Sequence, residues 1–97
     1  MNSSIAIQIL PIVEDKNEVI RIVDEVIAYI DGTGVNYQVG AFETTLEGDY
    51  DQLMDILKNI PLVGTKAGAD SVMTYVKINY QAAGDVLTIA KKTDKYR

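Results

Sequence analysis

The chain has 97 residues, 47% hydrophobic and 24% charged, which is the composition of one globular domain and not of a disordered segment. Its formal net charge of -5 argues against nucleic-acid binding, because such binding is driven largely by the release of counterions from phosphates. Cysteine and histidine are both absent, which excludes disulfides and thiolate metal sites and removes the commonest general base. We therefore expect a single domain spanning residues 1–97.

The N-terminal residues are not typical of a signal peptide. Met-Asn-Ser-Ser leads into a short alternating run, without a charged region followed by a long apolar stretch. We expect a cytoplasmic protein with no membrane span.

The first half of the chain predicts a strand, a helix and a second strand. Residues 4–10 alternate between two faces, and Pro11 is expected to end this strand because it cannot donate a ladder hydrogen bond. Asp15 is a candidate N-cap of the helix that follows, which Gly32 or Gly34 should end. Its apolar residues recur with the 3.6-residue period of one buried helix face. They are Val19, Ile22, Val23, Val26, Ile27 and Ile30.

A hairpin should follow this helix. Residues 35–39 alternate in polarity, and a third strand begins at Thr44 after a tight connection. Matching the apolar faces places Val39 opposite Leu46 and Gln38 opposite Glu47. A three-residue turn would shift this pairing by one position.

The second half predicts another helix, a long strand and a C-terminal helix. Asp49 is the candidate N-cap of the second helix, which Pro61 should kink or end. Residues 62–68 are compatible with either a helix or a loop. Residues 69–80 alternate as a strand, and 86–96 predict a short helix with a basic C-terminal end. Its basic residues are Lys91, Lys92, Lys95 and Arg97.

The resulting order is βαββαβ with a C-terminal helix, the split βαβ arrangement of a ferredoxin-like α+β domain. Its strand order should be 4-1-3-2, with both long helices on one face of the sheet. The predicted core residues come from both helices and from three strands. They are Ile7, Ile9, Val23, Val26, Ile27, Leu53, Leu57, Val76 and Ile78.

Several functions of this fold do not suit these residues. RNA-binding domains with this order of elements stack bases on aromatic side chains of the central strands, whereas the open face here offers Gln8, Leu10 and Glu47. An acyl-phosphate hydrolase would need an anion-binding loop after the first strand, where residues 13–16 carry two carboxylates. The acidic residues near Asp49 suit a helix N-terminus, so we assign no metal.

The sheet face opposite the helices remains, and two interpretations stay open for it. A sheet covered on only one side favours a subunit interface on the other. The second interpretation adds a pocket for a small polar heterocycle where that interface leaves a gap, with Glu47 and Gln38 supplying acceptors and a donor at one point. The residues expected on this face are Ala6, Leu10, Asn36, Gln38, Thr45, Glu47, Met73, Tyr75 and Asn79.

The segment Thr44-Thr45-Leu46-Glu47-Gly48 resembles the Thr-x-x-Glu(-Gly) signature of the small thiamine-binding proteins with a ferredoxin-like fold. Residues 10–15, 34–40 and 95–97 are similar to one branch of the same family. The chain departs from many members after the last strand, where Asn79-Tyr80-Gln81 replaces an Asp-Arg pair. It also departs at residues 13–15, where many members carry glycine and hydroxyl residues.

The resemblance implies a protein that binds thiamine or its hydroxymethylpyrimidine part, associates as a homodimer or homotetramer through its sheets, and has no catalytic activity or required cofactor. It assigns ligand contacts to Thr44, Thr45 and Glu47, and residue chemistry adds Gln38. We therefore expect a carrier, sensor or supply protein for thiamine or a pyrimidine precursor. The alternative is an oligomeric regulatory or scaffolding module with no small ligand.

Overall fold

The computed structural model describes residues 1–96, and its four strands form one antiparallel sheet in the order β2-β3-β1-β4. This order and the two long helices on one face confirm the predicted ferredoxin-like α+β fold. The elements are β1 (Ser3–Ile12), α1 (Lys16–Gly32), β2 (Asn36–Val39), β3 (Thr44–Gly48), α2 (Tyr50–Lys66), β4 (Ser71–Tyr80), α3 (Ile89–Thr93) and a 3-10 turn (Asp94–Tyr96). No helix within residues 1–96 is both long and apolar enough to cross a bilayer.

The core lies between the two long helices and the sheet face that they cover. Val26 of α1 is fully buried, and the backbone N–H of Asn17 donates to the carboxylate of Asp15 at 2.9 Å, as expected of an N-cap. Val23 and Ile27 are half-buried at the edge of the helix face. The buried cluster comprises Ile5, Ile7, Val26, Ile30, Val35, Leu46, Leu53, Ile56 and Ile60.

Ile78 is not part of this core, so the prediction that it is a core residue was wrong. It has the correct orientation, opposite Ile5, but remains 50% exposed. The reason is its position towards the end of the edge strand β4, beyond the cover of the helices.

Pro11 lies inside β1, and the prediction that it ends the strand was wrong. Beyond Ile7, β1 pairs only with β4, and Pro11 lies opposite Val72. The carbonyl of Ile12 accepts from the backbone N–H of Asp70 and so points towards β4. The backbone groups of Pro11, one residue earlier, therefore point to the unpaired edge. Proline is tolerated there because no ladder hydrogen bond is required of it.

The register of the hairpin differs from the predicted one by two residues. Gln38 lies opposite Thr45, and Asn36 lies opposite Glu47. The N–H of Gly40 donates to the carbonyl of Glu43 at 2.9 Å, so Ala41 and Phe42 form the turn. This turn lies one position earlier in the chain than the predicted pairing implies. A Cβ atom on Gly40 would lie 2.9 Å from that same oxygen, so the tight turn requires glycine.

The second helix, α2, continues through Pro61 to Lys66, which shows residues 62–66 to be helical. Proline removes one backbone hydrogen bond, but tertiary contacts hold the final turn in place. Val63 packs against the core, and Gly64 is buried so close to β4 that a Cβ atom would lie 2.7 Å from Val72 Cγ2.

The C-terminal helix is present but shorter than predicted. It begins at Ile89 because the hydroxyl of Thr88 accepts a hydrogen bond from the N–H of Lys91 at 3.0 Å and so acts as the N-cap. Residues 86–88 are not helical. Of the basic residues assigned to its end, Arg97 lies outside the described residues.

Candidate functional site

The signature strand β3 presents its side chains to two different environments. Thr44 and Leu46 face the helices and are buried, whereas Thr45 and Glu47 point to the opposite face. The pairing confirms the polar residues expected on this second face. They are Asn36 and Gln38 on β2, Thr45 and Glu47 on β3, and Tyr75 and Asn79 on β4.

The C-terminal segment crosses this second face, so the face is partly covered within one chain. The segment is held by a hydrogen bond of 3.2 Å from the N–H of Val86 to the carbonyl of Met1. Val86 and Ile89 are 4% and 8% exposed. Sequence reasoning missed this placement. The available signal was a pair of apolar residues three positions apart in a polar segment, together with a sheet face lacking cover.

The carboxylate of Glu47 fixes the start of α3. Glu47 is 6% exposed, and its Oε2 accepts from the backbone N–H of Ile89 at 2.6 Å. Its Oε1 accepts from the side-chain amide of Asn36. A carboxylate is stabilised at a helix N-terminus by unsatisfied N–H groups and by the orientation of the peptide dipoles. Both oxygens of Glu47 are therefore used within the protein.

Between α3 and the hairpin lies a cavity of about 260 Å³. Two of the predicted site residues, Gln38 and Thr45, line it together. Neither Thr44 nor Glu47 lines the cavity: Thr44 lies on the other face of the sheet, and the carboxylate of Glu47 is bonded to the N–H of Ile89. The complete lining is Gln38, Gly40, Glu43, Thr45, Ile89, Lys92 and Thr93.

The cavity combines hydrogen-bonding groups of both kinds. Glu43 accepts from the ammonium group of Lys77 at 3.0 Å, and the hydroxyl of Thr93 donates to the carbonyl of Ile89 at 2.8 Å. Glu43, Lys92 and Thr93 were not among the predicted site residues, because the turn and α3 meet Gln38 only through tertiary folding. This combination suits a small polar heterocycle with donors and acceptors along one edge.

Within residues 1–96, no group of three or more potential metal-ligating carboxylates comes together.

Two solved structures are similar to this chain over nearly its full length. A domain of unknown function from Bacillus cereus has 38% identity and a TM-score of 0.87, with 99% of this chain and 90% of that chain covered. A proposed thiamine biosynthesis/salvage protein from Thermotoga maritima has 31% identity and a TM-score of 0.86, with both chains covered completely.

Sequence comparisons agree with these structural similarities. A UPF0045 protein from Clostridium perfringens is 43% identical over 94 residues, which cover 97% of this chain and 96% of the relative. The family model described as thiamine-binding protein matches residues 5–97, a range that includes the signature strand, the hairpin turn and α3. The chain therefore belongs to the thiamine-binding protein family.

Proposed function

We propose that the protein binds thiamine, or its hydroxymethylpyrimidine part, in the cavity between β2, β3 and α3, without converting it chemically. The observation that carries the proposal is the position of the family's signature strand, which forms one wall of a cavity on the sheet face opposite the long helices. The family description and the similarity to a proposed thiamine biosynthesis/salvage protein support the choice of ligand.

The size and polarity of the cavity suit the pyrimidine part of the ligand. Its volume of about 260 Å³ is slightly below the ~300–1,000 Å³ typical of ligand sites, which favours one heteroaromatic ring as occupant. An aminopyrimidine presents an amino donor beside a ring-nitrogen acceptor. The side-chain amide of Gln38 offers the complementary pair, while Thr45 and the carboxylate of Glu43 offer further contacts.

In this proposal Glu47 acts on the ligand through α3 and not by direct contact. Its carboxylate is bonded to Ile89 and Asn36, and it thereby holds Lys92 and Thr93 over the cavity. A non-catalytic role agrees with the absence of histidine and cysteine from the chain. Such a protein would serve in vitamin supply or sensing.

We also propose that the protein is a homodimer or homotetramer with the cavity close to the subunit interface. The part of the second sheet face that α3 leaves uncovered carries four exposed apolar residues, here called the β1–β4 patch. They are Leu10, Ile12, Met73 and Tyr75. Lys77, which bonds Glu43 at the cavity rim, lies next to Tyr75 along the same face of β4. The same patch would serve the alternative function, an oligomeric regulatory or scaffolding module without a small ligand.

Two matched threonine variants test the binding proposal. Thr45→Val should weaken thiamine binding by the value of a neutral hydrogen bond, about 0.5–1.5 kcal/mol or roughly two- to tenfold. Thr44→Val changes the neighbouring residue on the opposite face and should leave the affinity unchanged. Both variants keep a β-branched side chain that suits a strand. Titration calorimetry with thiamine measures the affinity of the wild type and of both variants. No binding by the wild-type protein would refute this site, and so would a larger loss of affinity in Thr44→Val than in Thr45→Val.

A further inference from the structure

A second cavity adjoins the proposed binding cavity on the same sheet face. It has a volume of about 250 Å³ and lies over β1 and β4, on the other side of α3 from the hairpin. Thr45 and Lys92 line both cavities, which therefore adjoin and are together called the groove. The second cavity is lined by Ser4, Ile5, Ala6, Thr45, Lys77, Ile78, Asn79 and Lys92.

The floor of this groove is one row of paired residues that crosses all four strands. Gln38 pairs with Thr45, Thr45 with Ala6, and Ala6 with Lys77. The small side chains of Thr45 and Ala6 leave space above the middle of the row. The amide of Gln38 and the amine of Lys77 lie at its opposite ends. From Thr45 to Lys77 the row spans two strand spacings, roughly 10 Å. A ligand longer than one ring can therefore extend from the first cavity into the second.

The charges in the two cavities differ. Glu43 lines the first cavity. Within residues 1–96 no carboxylate lines the second cavity, whose charged groups are Lys77 and Lys92. Lys77 is paired with Glu43, and Lys92 makes no ion pair within residues 1–96. The nearby carboxylate of Glu47 is buried and bonded to the backbone of α3. Among residues 1–96, two ammonium groups and one carboxylate thus line the two cavities, which leaves a net positive charge there.

Neutral hydrogen-bond donors surround these two amines. The side chains of Ser4, Thr45 and Asn79 each carry an N–H or O–H group. Lysine ammonium groups combined with such donors suit a phosphate group, and the long lysine stem allows the charge to approach it. A cationic ring in the same position would face two like charges.

We propose that this second cavity binds the phosphate group of a phosphate monoester whose heteroaromatic ring occupies the first cavity. The inference rests on the proposed function, and it names the ligand class as phosphorylated pyrimidine in preference to the free alcohol or the free cationic vitamin. Lys92 makes the principal contact with the phosphate, and Lys77 supports it.

Titration calorimetry with hydroxymethylpyrimidine and its phosphate monoester tests this inference. The wild-type protein should bind the ester at least about tenfold more tightly than the alcohol, as a charge-assisted contact would give. Lys92→Gln should reduce this ratio to near one. Lys58→Gln, which removes an exposed charge from α2 outside both cavities, should retain the wild-type ratio. The preference for the ester should also fall as salt is raised.

The other outcomes separate this inference from the function on which it rests. Equal affinity for ester and alcohol, or a preference that survives Lys92→Gln, would overturn the phosphate site while leaving a pyrimidine site in place. Inorganic phosphate bound as tightly as the ester would identify a general anion site and would also overturn the inference. Failure of both pyrimidines and of thiamine to bind would refute the proposed function itself.

Discussion

At the scale of single residues, Glu47 connects parts of the chain that are 42 positions apart in sequence. Its carboxylate accepts hydrogen bonds from Asn36 on β2 and from the first residue of α3. A five-residue helix is too short to be stable alone in water, so α3 depends on such contacts and on the burial of Ile89. The residue that most resembles a ligand contact in the sequence therefore has a structural role.

Glu47→Gln should lower the free energy of unfolding by about 1–3 kcal/mol. The reason is that glutamine has only one acceptor oxygen, whereas the amide of Asn36 and the N–H of Ile89 each bond to a separate oxygen of Glu47. It should weaken thiamine binding as well, since α3 forms one wall of the cavity. Urea denaturation measures the stability change. Glu25→Gln, at an exposed position of α1, is the matched control and should be neutral. Equal stability of the Glu47→Gln variant and the wild type would contradict the capping role.

At the scale of elements, the contact between α2 and β4 depends on a helical glycine. Gly64 lies in the turn after Pro61, a residue that cannot donate a helical hydrogen bond to the preceding turn. Its lack of a Cβ atom lets the helix approach Val72 closely. This approach keeps the end of α2 on the sheet.

Gly64→Ala should destabilise the protein by about 1–3 kcal/mol, because the added methyl group would overlap Val72 Cγ2 at 2.7 Å. Gly32→Ala is the matched control, since nothing lies within 4 Å of a Cβ atom at the end of α1, and it should be neutral or stabilising. Thermal or urea denaturation distinguishes the two variants. Recovery of stability in Gly64→Ala combined with Val72→Ala would verify the contact, and equal effects of the two single variants would refute it.

The elements differ in how far local sequence determines them. The period of Val26 and its neighbours predicts α1, and alternation predicts the strands, because both patterns reflect which face is buried. The hairpin register was predicted wrongly because the apolar pattern does not locate the turn. The backbone hydrogen bond from Gly40 to Glu43 fixes the turn one position earlier than the pattern implies. The helix beyond Pro61 and the placement of α3 depend on contacts with residues distant in sequence, which a local pattern does not contain.

The residues of the candidate site were likewise only partly predictable from the sequence. Strand alternation correctly separates Thr45 from Thr44, and it places Gln38 on the same face as Thr45. Lys92 and Thr93 could not be inferred, because they reach the cavity only when α3 folds back over the sheet.

At the scale of the whole molecule, the two faces of the sheet differ in how they are covered. The long helices bury one face, whereas α3 covers only part of the other and leaves the β1–β4 patch exposed. Contiguous apolar surface of this kind in a small domain favours association with another chain.

Tyr75→Asp should lower the molecular mass measured by light scattering during size-exclusion chromatography, from two or four chains towards one. The reason is that a carboxylate would be buried without a partner at the proposed interface. Leu62→Asp alters a residue of similar exposure on the outer side of α2 and should leave the mass unchanged. A wild-type protein that is a monomer at high micromolar concentration would contradict the proposed interface.

The most direct test of the binding proposal is a thiamine titration of isotopically labelled protein, followed by amide chemical shifts. We predict that the shifts move most at the cavity between the hairpin and α3, at Gln38, Thr45, Ile89, Lys92 and Thr93. Amides near Tyr50 and Tyr80, whose rings contact each other at the far edge of the sheet, should remain unchanged. Shifts absent at saturating thiamine, or confined to residues outside this cavity, would contradict its assignment as the thiamine site.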